Sequence, residues 1–262
     1  QRQMCIRDRV FIGGIMKAND VNDVHQLLNV SMNPITISYS LPLKSETIIP
    51  SYDNMLRAVQ QKLQENNVLK PNYQFSFTLK QIDSYEQLAL FFGEEIDLSD
   101  LFKITSPNPI HKTVAVLDIS QSYFSIAMDM PEEELSNSPI VQEQLSELIY
   151  VGSIEFGRRS ILIVESDLNY QDVKVALNEI LNKSTTKKGD ISEKSKSIMA
   201  SSIIRGLILD PLANENITPD NPLEYLLDYI NSDISPNDFG VPIFFTAAWL
   251  KDNSVFVNKF TN

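Results

Sequence analysis

Cysteine is almost absent: 262 residues hold one, Cys5. It lies in the first nine residues, Gln1 to Arg9, whose run QRQMCIRD resembles a translated sequencing-library adapter. That leader is set aside from fold reasoning as a fusion scar would be. The remainder has no thiol, which excludes disulfides and thiolate catalysis there. On this reading the native start lies further upstream, and the lack of a signal peptide carries no information about secretion. Histidine is nearly as scarce. His25 and His111 are far apart and lack metal-ligand spacing, so they read as surface or strand-end residues, not a zinc or general-base pair.

Basic charge is also short, with 22 Lys and Arg against 34 Asp and Glu and a net charge of −12. No stripe exists to neutralise phosphates, which argues against a nucleic-acid partner. No run approaches the roughly 18 apolar residues of a spanning helix, so any membrane entry must use strands or a surface contact. G-x-S-x-G, Walker and G-x-G-x-x-G motifs are missing. Glu94-Glu95 and Glu132-Glu133-Glu134 are adjacent acids in polar stretches and read as solvated charge, not as a cross-cleft glycosidase pair. The expectation is a protein that is not an enzyme, with no cofactor, no metal and no catalytic residue.

What is present is 43% apolar content, enough for a real core. Ile35 to Pro42 alternates at period two, as a half-buried strand does. Ser51 precedes a helix with Met55, Val59 and Leu63 on one face and Leu56 beside them. Tyr73 to Leu79 alternates again. Ser84 and Gln87 form a capping box, Leu88 to Phe92 an apolar body, and Gly93 stands where a left-handed C-terminal residue belongs. Thr113 to Met130 is strand-like over a long distance. Ile149 to Glu165 is a second long strand, with Gly152 and Gly157 where a bulge or bend is expected. Asp172 to Leu181 is an amphipathic helix carrying Val173, Ala176, Leu177 and Ile180 on one side. Lys183 to Ser197 reads as a polar, mobile connector around Gly189. Asn221 caps a helix with Pro222 at its first position, running through Tyr225, Leu226 and Tyr229. Pro242 to Leu250 reads as a strand that turns through Lys251-Asp252-Asn253-Ser254, residues suited to an Asx turn. Long strands with short helices in no βαβ rhythm give an α+β class.

Five blocks resemble one family in order and spacing. They are the Ile35–Pro42 strand with the helix from Tyr52; Gln81-Ile82 leading to Phe92-Gly93-Glu94-Glu95-Ile96-Asp97; Gln121-Ser122-Tyr123-Phe124-Ser125-Ile126-Ala127-Met128-Asp129-Met130-Pro131; Phe156-Gly157-Arg158 with the following helix; and LKDNSV at Leu250 to Val255. Their collinearity resembles the cholesterol-dependent cytolysins, bacterial pore-forming toxins. The resemblance implies a long bent antiparallel sheet flanked by helical clusters, the membrane-attack-complex/cytolysin type of core. It implies a secreted protein that forms a homo-oligomeric ring on target-membrane lipid and inserts two amphipathic hairpins per subunit. The alternative is a non-lytic, cytolysin-like surface or adhesion protein with the same fold.

By resemblance the first hairpin lies around Thr113–Leu145 and the second around Ser197–Tyr229. The layout is a leader at 1–9, scaffold at 10–110, the first hairpin-forming segment at 111–145, and scaffold strand and helix at 146–187. The second hairpin-forming segment follows at 188–240, with scaffold strands at 241–262. Phe124, Ile126, Met128 and Met130 would face lipid, with Ser125, Ala127 and Asp129 toward water. Phe156, Gly157, Arg158, Lys251, Asp252 and Asn253 are family-motif or hinge positions. Both hairpin segments are expected to pack as clusters on one sheet, less deeply buried than Ile149–Glu165. Two departures stand out. Pro211, Pro219 and Pro222 cannot donate to a barrel ladder. The family's C-terminal domain, with its tryptophan-rich loop and Thr-Leu cholesterol-recognising pair, is not in the sequence, so cholesterol binding is not carried over.

Overall fold

The computed structural model describes residues 3–4, 10–19, 26–66, 74–88, 102–131, 133–186, 189–209 and 222–257. The strands are β1 (Gln3–Met4), β2 (Ile15–Lys17), β3 (Ile35–Tyr39), β4 (Glu46–Ile48), β5 (Gln74–Ile82), β6 (Thr113–Met128), β7 (Leu148–Ser166), β8 (Ile203–Ile208) and β9 (Val241–Trp249). The helices are α1 (Tyr52–Asn66), α2 (Pro139–Glu143), α3 (Tyr170–Thr186), α4 (Glu193–Ala200) and α5 (Pro222–Asn231), with a 3-10 turn at Tyr85–Leu88. The class is α+β with a large antiparallel sheet, as the long alternating and apolar runs imply.

The chain divides into two compact units. The first takes residues 1–74, 122–157 and 234–262. Its strands run β1-β9-β7-β6-β3-β4, with β2 also on β7. Ile149 pairs with Trp249 and Gly157 with Val241, so the long strand from Ile149 and the strand that leads to Leu250 are neighbours in one antiparallel sheet. The register shifts between Val151 and Ser153, with Gly152 as the extra residue, and again between Glu155 and Phe156. Helix α1 starts where Ser51 Oγ accepts the Asn54 N–H at 3.1 Å. It buries Met55, Ala58, Val59 and Leu63, the face its spacing predicts. Gln3–Met4 of the leader pairs with Phe244 and Phe245, a backbone contact that needs no particular side chain.

The second unit takes residues 75–121 and 158–233. Its strands run β5-β6-β7-β8. Side chains alternate across a sheet, which separates Leu162 and Val164 from Ile161, Ile163 and Glu165. Leu162 and Val164 join Ala115, Leu117 and Ile119 in a core closed by α3, α4 and α5, through Val173, Leu177, Ile198, Leu226 and Ile230. Helix α3 is capped by Asn169, whose Oδ1 accepts the Asp172 N–H at 3.0 Å while its Nδ2 donates to Asp172 Oδ2. The connector expected from Lys183 to Ser197 is shorter than that: α3 runs on to Thr186 and α4 begins at Glu193. Ser192 is the missed cap, its side chain accepting from Ser195 N–H.

Of the helix expected over Ser84–Gly93, the described residues show a 3-10 turn at Tyr85–Leu88, and residues 89–101 lie outside the described residues. Gln87 Oε1 accepts the Asp83 N–H at 2.7 Å, one residue before the expected capping-box partner. Cys5, His25, Pro211, Pro219 and the Asn221 cap also fall outside the described residues.

Candidate functional site

Phe156, Gly157 and Arg158 occupy three different environments at the end of β7's first-unit half. Phe156 is fully buried and stacks on Phe124, centroids 5.1 Å apart at 10°, with Phe239 tilted against both. Gly157 is approached by Gly240, which has φ +79° and where a Cβ would come within 2.3 Å of the Gly157 carbonyl oxygen. Glycine is therefore required at 240, both for the backbone angle and for the contact. Arg158, in the second unit, is buried. Its guanidinium donates to the Tyr229 and Asp233 carbonyls at 3.3 Å each and lies 5.0 Å above the Tyr229 ring. It thus clamps the C-terminal turn of α5, where carbonyls lack helix partners and a cation is favoured.

The turn after β9 matches its chemistry. Asp252 Oδ1 accepts from the Ser254 N–H at 3.0 Å and Oγ at 2.6 Å, and these bonds lower the Asp252 pKa. Asn253 takes φ 58°, a left-handed angle Asn tolerates. Its N–H donates to Trp249 O, and its side chain accepts from the Tyr150 hydroxyl at 3.1 Å. Lys251 Nζ lies 5.3 Å over the Trp249 ring. The returning strand is reduced to one bridge, Ala248 to Val255.

The structure corrects the packing expected for Thr113–Leu145. Thr113–Met128 is not a cluster laid on the sheet; it is a strand within it. Ile126 is fully buried opposite Tyr39, and Met128 pairs with Ile37. Phe124 belongs to the aromatic stack, and Met130 lies beyond the strand end, 71% exposed. The reason is a run rich in β-branched and aromatic residues, from Val114 and Val116 to Tyr123, Phe124 and Ile126, that is buried on both faces despite the polar residues within it. These four side chains therefore do not share one environment. The Ser125 backbone is tied to Ser40: its carbonyl accepts the Ser40 N–H and its own N–H donates to Ser40 Oγ.

Within Ser197–Tyr229, α4 and α5 pack against the Leu162 and Val164 face through Ile198, Met199, Leu223 and Leu226, whereas Ile203–Ile208 is a strand within the sheet and residues 210–221 lie outside the described residues. Gly206 of β8 lets α5 approach: a Cβ there would meet Leu226 Cδ1 at 2.5 Å. The link between α3 and α4 is polar. Glu179 accepts from Lys183 Nζ at 2.8 Å, Ser192 N–H and Oγ, and Ser195 Oγ. Lys183 and the serines drive its pKa down.

On the other face of the second unit's sheet is a site the sequence reading missed. Glu165 is 1% exposed. Its Oε2 accepts from the Tyr85 hydroxyl at 2.5 Å and from Arg205 Nη1 at 3.3 Å; its Oε1 accepts the N–H groups of Ile110 and His111 at 2.5 and 2.8 Å. Burial alone raises its pKa, but the Tyr85, His111, Ile110 and Arg205 bonds outweigh that, and the net shift is downward. Tyr85 is pushed up by burial and by this carboxylate. The signal available in the sequence was a Glu directly after the apolar run Ile161–Val164. Nearby, Arg159 forms a bidentate pair with Asp118 at 2.9 and 2.5 Å. Among the described residues no group of His, Cys, Asp and Glu is placed to hold a metal ion, and no helix is long and apolar enough to cross a membrane.

Comparison with known proteins bears on this arrangement. The chain is 25% identical over 286 residues to tetanolysin of Clostridium tetani, a match covering 95% of this chain and 52% of tetanolysin. It is 23% identical over 280 residues to perfringolysin O of Clostridium perfringens, covering 95% and 55%. It therefore spans about half the length of the curated relatives it matches. The crystal structure of the human-specific toxin intermedilysin superposes with a TM-score of 0.72 at 22% identity, over 97% of this chain and 60% of that one. The model of the thiol-activated cytolysin family matches residues 4–262. With that match across nearly its whole length, the chain belongs to the thiol-activated cytolysin family.

Proposed function

We propose that this protein is a secreted pore-forming toxin that assembles into a homo-oligomeric ring on a target membrane and inserts two amphipathic β-hairpins per subunit. The family match over residues 4–262 carries the reading. The packing of the second unit supports it, because helices lie on one sheet face and the described ends of residues 83–112 on the other. A membrane strand needs about 9–11 residues with alternating polarity. Helix α5 has that alternation as well as its helical face. Leu223, Tyr225, Leu227 and Tyr229 fall on one parity, Glu224, Leu226 and Asp228 on the other. The second hairpin then turns within residues 210–221, which places Pro211 and Pro219 in the turn and Pro222 at its edge, outside the ladder.

For the first hairpin, residues upstream of β6 are favoured over Phe124, Ile126, Met128 and Met130. Leu88, Leu90 and Phe92, then Ile96, Leu98, Phe102 and Ile104, share one parity in the sequence around Gly93-Glu94-Glu95, interrupted by Asp100. Releasing Phe124 and Ile126 would instead cost two buried side chains and the pairing of β6 with β3.

Single cysteines in a Cys5→Ser background, each carrying an environment-sensitive dye, test both hairpins on liposomes with and without cholesterol. Apolar emission is expected at Tyr225, Leu227 and Phe102, and aqueous emission at Glu224, Asp228 and Lys103. Leu227→Arg is expected to cost about 2–4 kcal/mol of insertion and to suppress leakage. Alternation at Phe124 to Met128 instead would return the first hairpin to that strand. No alternation and no leakage in any liposome would replace pore formation with the non-lytic surface or adhesion reading.

A further inference from the structure

Among the described residues, Glu165 takes bonds from both flanks of the proposed first hairpin segment and from the base of the second. Tyr85 stands just before the first segment's apolar alternation, and Ile110 and His111 stand just after it. All three donate to this carboxylate, through a hydroxyl and two backbone N–H groups. Arg205, in β8 at the base of the second segment, donates to it too, and also to the Tyr85 hydroxyl at 3.3 Å. The His111 ring is taken by Asp167 at 2.8 Å, so His111 meets Glu165 through its backbone N–H.

A carboxylate buried among these groups is stable only while its donors stay. If one leaves, the charge loses a bond it cannot replace from water, and the others are weakened with it. Resting on the pore-forming reading above, we propose that Glu165 is a shared latch. It fastens both ends of the first segment and the base of the second, so that opening one lowers the cost of opening the other. The consequence is coupled release: the two hairpins leave the sheet as one event, not independently.

The test needs no membrane, so its outcome is separate from whether hairpins insert. Hydrogen exchange by mass spectrometry on the protein in solution compares wild type with Glu165→Gln and Ile110→Pro. Glu165→Gln should speed exchange about tenfold or more in both Tyr85–Leu88 and Ile203–Ile208, with β9 unchanged. Ile110→Pro deletes one donor at a residue 84% exposed and leaves every side chain of β8 in place. It should also speed Ile203–Ile208, and that remote effect should vanish when combined with Glu165→Gln. Exchange raised in only one segment, or a remote effect of Ile110→Pro that persists without Glu165, would overturn the latch. Should Glu165→Gln fail to fold, Ile110→Pro decides alone: unchanged exchange at Ile203–Ile208 refutes the coupling. A latch confirmed here with no dye alternation on liposomes would reject pore formation while keeping the coupling.

Discussion

The two units bury apolar surface by similar means but fasten their outer elements differently. In the first, Met55 of α1 and Phe256 after the β9 turn belong to one apolar core with Phe156 and Phe245, and the turn adds the neutral Tyr150–Asn253 hydrogen bond. In the second, outer elements add charged fastenings to their apolar faces: Arg158 on α5, Glu179 on α4, Glu165 on the Tyr85 turn and β8. Apolar burial is non-directional and degrades gradually, whereas a buried charged hydrogen bond is made or lost as a unit. The second unit is thus equipped for discrete release and the first for permanence.

Phe156→Ala breaks the comparison hardest if the account is right about permanence. Removing the centre of the Phe124–Phe239 stack should cost about 3–5 kcal/mol in denaturant unfolding monitored at the first unit. A loss below 1 kcal/mol would mean that this core is not what holds the unit.

Arg158→Met sharpens the other side. It keeps the apolar stem but removes the clamp, and exchange in Leu223–Ile230 should rise at least tenfold. Exchange in Val241–Trp249 should not move. Gly240→Ala tests close approach in the first unit, where a backbone shift away from Gly157 and a strained φ should cost about 1–3 kcal/mol.

The smallest expected effect is that of acid. The Glu165 and Glu179 carboxyls are lowered in the folded protein from an ordinary 4.5. The unfolded chain therefore takes up these protons first as pH falls. Stability from both groups is complete above the ordinary carboxylate range and is lost as pH drops below it toward the lowered values. Exchange at Tyr85–Leu88 and α4 should accelerate below about pH 4.5 ahead of β9. In Glu165→Gln the Tyr85–Leu88 response should disappear.

Most of the scaffold was legible because its signals are local. Period-two runs marked β3 and β7, the Ser51 cap and Met55-Val59-Leu63 spacing marked α1, and Asp252-Asn253 marked the turn. What escaped depends on pairing across the chain. Nothing near Thr113–Met128 in sequence says that Ile126 faces Tyr39, so a run expected by resemblance to pack as a cluster on the sheet is instead a strand within it. Glu165 was hidden for the same reason: its four donors come from positions 85, 110, 111 and 205. The α3–α4 connector was read as longer than it is: Ser192 caps α4 by accepting the Ser195 N–H, and its hydroxyl is held in turn by Glu179 thirteen residues away.

Native-state hydrogen exchange, resolved by segment, tests the contrast between the units most directly. The account predicts that Tyr85–Leu88, α4, β8 and α5 open in sub-global steps at least about a hundredfold faster than Ile149–Phe156 and Val241–Trp249. Equal protection in all of these segments, lost together only in global unfolding, would contradict it.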